Sequence, residues 1–159
     1  MDIEINQQSI YDIVSRSLSI IGKRSVDDQG NRLFEDITLG SNEKAIIEDY
    51  VNNAVNALVT ELSGFVSNYN SSTSTITVTL PGNHNSDIDT FIEKSFNGYI
   101  VAYCLYSWFF ITAPKIADKY QGDMAIQLAS LVRMLHGKKA PSGDTDIIDA
   151  VSTQIEQNT

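Results

Sequence analysis

The side chains able to do chemistry are few in this sequence, and they are scattered. His84 sits in a polar Gly82-Asn83-His84-Asn85 stretch, and His136 falls at an expected helix C-terminus, where an imidazolium suits the helix dipole. The single cysteine, Cys104, lies inside the most apolar run of the chain with no histidine near it. It therefore reads as a small buried apolar residue rather than a nucleophile. Asp87, Asp89 and Glu93 gather where a helix should begin, and Glu48-Asp49 lie on the polar side of another. Paired carboxylates do acid–base work when burial or crowding shifts their pKa values. Helix N-termini attract acids for dipole reasons alone, and that reading is preferred here. A calcium loop centred on Gly30 would draw on Ser25, Asp27, Gln29, Asn31 and Asp36. It lacks both the leading aspartate and the closing bidentate glutamate, so calcium is not expected. No phosphate loop, GxSxG elbow, HExxH or paired CxxC occurs. No catalytic residue, metal or cofactor is expected.

The remaining chemistry-bearing group is aromatic: Tyr99, Tyr103, Tyr106, Trp108, Phe109 and Phe110. Such rings can stack bases, but no basic residues are interleaved among them. A core or a protein–protein interface is the better reading.

These rings must be positioned by helices. Ile10, Ile13, Val14, Leu18 and Ile21 recur at spacings of three and four, predicting a first helix from near Gln7 or Ser9, stopped by Gly22. The stretch from Ser25 to Gly40 is turn-rich. A second helix opens at Ser41-Asn42-Glu43 and carries Ile47, Tyr50, Val51, Ala54, Val55, Leu58, Leu62, Phe65 and Val66 on one stripe. Asn68 to Ser74 is too polar to bury and reads as a loop, though the residues just before the next segment could fold back as a hairpin.

That segment, Thr75-Ile76-Thr77-Val78-Thr79-Leu80, alternates strictly and is β-branched, which predicts a half-buried strand. Its partner is not obvious. Ile3 and Ile5 also alternate, as do Ile37 and Leu39, and a strand without a partner in its own chain can pair with a neighbouring subunit. A third helix is expected to be capped by Ser86, with Asp89 completing a capping-box-like pair. Ile92, Phe96, Tyr99, Tyr103, Tyr106 and Phe110 lie on one of its stripes. Thr112-Ala113-Pro114 breaks it, and a fourth helix carries Ala117, Tyr120, Met124, Leu128, Leu131 and Leu135 towards Gly137. The expected fold is mainly α: a four-helix bundle with one strand or short hairpin between helices two and three. Residues 1–141 form its helical domain and residues 142–159 an acidic tail.

With 159 residues, 42% of them apolar, the chain can bury one real core. Eleven lysines and arginines against twenty aspartates and glutamates give a formal charge of −9, which opposes nucleic-acid binding through phosphate contacts. The N-terminus lacks a basic leader and an apolar run of signal-peptide length, so the sequon Asn70-Ser71-Ser72 carries no weight. The apolar run from Tyr99 to Ala113 is too short to span a bilayer, and no membrane partner is expected.

One order of features carries a resemblance. A short first helix precedes a long second helix and a Thr-rich strand ending in Leu80-Pro81. Then follow Tyr103-Cys104-Leu105-Tyr106-Ser107-Trp108-Phe109, the break at Thr112-Ala113-Pro114, Ala117-Asp118-Lys119-Tyr120 and Lys138-Lys139-Ala140-Pro141. From about Ser9 to Pro141 this resembles the head–tail connector (adaptor) proteins of tailed bacteriophages, most of all those of phages with Bacteroides-type hosts. The resemblance implies a small helical virion protein of the neck region, made in the host cytoplasm. It implies a homo-oligomeric ring, commonly of twelve copies, below the portal protein. Such a ring docks a tail or second ring protein, and DNA passes through without specific binding.

On that reading Thr75, Ile76, Val78 and Leu80 of the strand and Tyr99, Tyr103, Tyr106, Trp108 and Phe109 of the third helix form the subunit interface. The acidic tail would reach an adjacent protein. Two alternatives stay open. One is another neck or tail-completion protein of a phage. The other is a small helical enzyme or regulator, which would need His84 to meet Asp87, Asp89 and Glu93.

Overall fold

The computed structural model describes residues 1–24, 41–71, 75–80 and 86–137. The expected turn and calcium loop around Gly30, the Ile37–Leu39 alternation, His84 and the acidic tail lie outside them. The described residues are mainly helical and carry a small three-stranded sheet.

The chain opens on β1 (Asp2–Asn6), whose side chains alternate between solvent and core, with Ile3 and Ile5 fully buried. α1 (Gln7–Arg24) follows without a linker. Asn6 makes this possible by ending the strand and capping the helix, its Oδ1 accepting the Ser9 amide at 2.9 Å. Ile10, Val14 and Leu18 give α1 its buried stripe, and the helix runs through Gly22 rather than stopping there. α2 (Ser41–Glu61) buries Ile47, Val51, Ala54, Val55 and Leu58. It ends earlier than the apolar stripe predicts: Leu62 to Phe65 form a turn in which Phe65 N–H reaches Leu62 O at 2.8 Å. Gly64, where helix propensity is weakest, lies in that turn. Gln7, the one buried polar residue among those described, donates to Asn52 Oδ1 at 3.3 Å and ties α1 to α2.

Asn68–Ser71, expected as loop, is strand β2, and Thr75–Thr79 is β3. The hairpin expectation therefore holds, and the expectation of an unpartnered strand does not. The sheet order is β1-β3-β2, so β3 is the central strand, antiparallel to both neighbours. The register sets Ile3 beside Val78 and Ile5 beside Ile76, all four buried on one face. This face pattern fixes the register: one residue of slip in β1 would turn Ile3 and Ile5 into solvent. Leu80 extends the pairing, its N–H donating to Met1 O at 2.8 Å.

A 3-10 turn (Ser86–Ile88) leads into α3 (Asp89–Thr112). Ile88, not Ser86, occupies the cap position and makes no side-chain cap. α3 is the hub, contacting α1, α2 and α4. α4 (Pro114–His136) folds back on it through Ala113 alone, with Pro114 in the first helical position, where its missing N–H costs nothing. The two helices are flush enough at Gly98 that a Cβ there would meet Gln127 Cδ at 3.1 Å. Gly137 ends α4, as expected, and does so in an extended conformation (φ −64°, ψ 102°), its N–H shared between Arg133 O and Met134 O.

Gly122 lies inside α4 with open space where a Cβ would stand. Gly122→Ala should therefore stabilise the chain by about 1 kcal/mol, from helix propensity alone. Thermal or urea unfolding measures it.

Candidate functional site

The stripe Ile92, Phe96, Tyr99, Tyr103, Tyr106, Phe110 is continuous in sequence, but its burial is not. Ile92 and Phe96 are wholly buried and Tyr99 is 5% exposed. Tyr103 and Tyr106 are half-buried, and Phe110 is 59% exposed. One helical face thus begins in the core and emerges as a row of rings. Tyr99 and Tyr103 stand 6.4 Å apart and Tyr106 and Phe110 5.5 Å apart, both tilted, so the rings support one another. From Ser95 to Ala113 there is no charged residue. The emerging face is therefore an uncharged aromatic surface with hydroxyl groups, the chemistry enriched at protein–protein contacts.

The α3–α4 corner extends it. Ile111 is 83% exposed, and beyond it Ala113, Pro114, Lys115 and Ile116 line a shallow hollow of about 560 Å³. Beneath the corner Phe109 stacks on Tyr120 at 6.2 Å with ring planes 11° apart, which locks the two helices. Lys119 Nζ lies 5.5 Å over the Tyr120 ring.

The predicted interface residues separate into two groups. Ile76, Val78 and Leu80 point into the chain's own core, as do Phe109 and nearly all of Tyr99. Thr75 is half-buried in the central strand. Apart from part-exposed Thr75, these side chains are packed within the chain. The strand cannot add to another chain either, because β1 and β2 already occupy its two edges. The outer strands are poor templates in turn. Exposed Asp2 and Glu4 charge β1, and in β2 the Tyr69 N–H is taken by Asn68 Oδ1 at 2.9 Å. Tyr103, Tyr106 and Trp108 keep partial exposure, with Trp108 on a different side of α3 from the two tyrosines. Sequence reasoning missed Ile111 and the corner. The signal was present, since helix-breaking Ala113-Pro114 directly after Phe110-Ile111 leaves the last turn of α3 without a following turn to cover it.

The titratable groups with shifted pKa values owe the shift chiefly to burial. Burial raises the Tyr99 pKa, with smaller contributions from Tyr103 and Glu61. Burial also raises that of Tyr120, helped by Asp123. The Cys104 thiol is pushed up to about 12 by desolvation alone. Thiolate is the reactive form, so native Cys104 should resist a thiol reagent at pH 8 and react on unfolding, as a dithionitrobenzoate assay in and out of denaturant will show. All three groups favour their neutral forms when folded. Stability should accordingly hold up to about pH 9 and fall as pH rises further, because the unfolded chain ionises first.

Among the described residues no group of three or more His, Cys, Asp or Glu could hold a metal ion, and every buried side-chain polar atom has a partner. His136 meets Phe65 edge-to-face at 4.7 Å. No described helix is long and apolar enough to cross a membrane. No protein-family model matches the chain, and neither a curated protein nor a solved structure shows significant similarity to it.

Proposed function

We propose that this chain is a structural protein that works by gripping other protein chains, and specifically a head–tail connector of a tailed bacteriophage. On this reading it forms a ring of copies below the portal and docks a tail component, and its four helices pack as a bundle. The observation that carries the reading is the emergence of the α3 stripe from the core. Tyr103, Tyr106 and Phe110 continue a buried face into solvent, uncharged and ring-rich, as a binding surface requires. The net charge of −9 supports it further, since an acidic conduit denies DNA its phosphate contacts. The subunit contact moves from the strand, which is spent inside the chain, to the exposed end of α3.

The experiment is to mix the chain with the portal protein of its phage and weigh the product by mass photometry. A portal ring heavier by a fixed number of copies is expected, and a portal mass unchanged at micromolar chain overturns the reading. Tyr106→Ala with Phe110→Ala should weaken that association by about tenfold or more. A monomeric free chain is compatible with the reading, because a ring can form on its template.

A further inference from the structure

We propose that the apolar corner between α3 and α4 is the docking site of this chain's own acidic C-terminal segment, Asp144 to Glu156. The inference is argued from the corner alone, and a docked segment would compete for Phe110 with the contact proposed above. The corner offers Phe110, Ile111 and the hollow beside Pro114 and Ile116, an apolar surface interrupted by cations. Lys115 and Lys119 stand exposed on the first turns of α4, against one exposed acid there, Asp118. The C-terminal segment has the complementary composition. Ile148, Val151 and Ile155 are spaced by three and four, and Asp144, Asp146, Asp149 and Glu156 surround them without one lysine or arginine. Apolar side chains meet an apolar hollow, and carboxylates meet two ammonium groups.

The chain is also long enough. α4 has 23 residues and carries the chain about 34 Å away from the corner. The eighteen steps from Gly137 to Ile155 span about 59 Å when extended, which leaves slack for the segment to return to the corner. The tether makes the contact an intramolecular one.

The test uses the full chain with two pairs of introduced cysteines. One pair is Ile111→Cys with Ile148→Cys. The other is Lys94→Cys with Ile148→Cys. Both recipient positions are exposed, and Cys104 is buried and stays out of the reaction. Lys94 lies near the start of α3, beside the end of α4 where the segment departs, so a tail without a docking site reaches it sooner than Ile111. Under copper–phenanthroline oxidation we expect the Ile111 pair to close within one chain about fivefold faster than the Lys94 pair. Lys115→Glu with Lys119→Glu should abolish that preference. Equal or faster closure at Lys94, or closure mainly as disulfide-linked dimers, overturns the proposal.

Discussion

Replacing Phe109 with alanine should cost about 3–5 kcal/mol of stability, while the same replacement one residue on, at Phe110, should cost about 1 kcal/mol or less. The two positions differ by a single helical step and by almost everything else. Phe109 is wholly buried and stacked on Tyr120, so its loss leaves a cavity where α3 and α4 pack near their shared corner. Phe110 is more than half exposed and has Tyr106 as its ring neighbour. In assembly the order should invert. Phe110→Ala, with the fold intact, should weaken association with the portal, and it separates binding from stability in a way that Phe109→Ala cannot. Urea unfolding and mass photometry on the same two variants decide both halves. Comparable stability losses at the two positions would contradict the burial described here.

The second large effect concerns β3. Thr77→Pro should destabilise the chain on the order of 3 kcal/mol or more, because proline removes a ladder hydrogen bond and its ring crowds the neighbouring strand. Thr77 sits opposite Glu4 on one side and Asn70 on the other. Proline is tolerated on edge strands, so this one substitution distinguishes a central strand from one left open for another subunit. Asn70→Pro, in the outer strand β2, should be the milder change. Chemical denaturation of the two variants gives the comparison, and equal tolerance at both positions would speak against the three-stranded order.

How far the sequence could lead is visible in these same residues. The helices of α1, α3 and α4 were legible from apolar spacing, and the α3–α4 break from Ala113-Pro114. Strand β3 was legible because Thr and an aliphatic residue alternate without exception. Its neighbours were harder. Asn68 to Ser71 has no apolar face beyond Tyr69, so nothing local marks it as a strand; it is one because β3 lies beside it. The end of α2 was misjudged because Leu62, Phe65 and Val66 keep helical spacing. Leu62 is wholly buried and the other two pack on the core, but from a turn. Spacing reports which residues seek the core and not which backbone delivers them.

The site divides along the same line. The stripe of rings on α3 was readable, but where along it the core ends is a matter of what else packs there, and Ile92 and Phe110 look alike until α1 and α2 are in place. Ile76, Val78 and Leu80 were read as an interface because β3 showed no partner nearby, and its partner is Asp2–Asn6, about seventy positions upstream, which helps to bury them within the chain.

That distance shapes how the molecule comes into being. Asp2 and Thr79 are bonded across 77 positions, so β1 is synthesised well before the strand that satisfies it. The β2–β3 hairpin closes a short loop and can form early, whereas joining β1 to it closes a loop of most of a domain, at greater entropic cost. The first strand must therefore wait, with Ile3 and Ile5 uncovered, until Thr75 to Leu80 have left the exit tunnel.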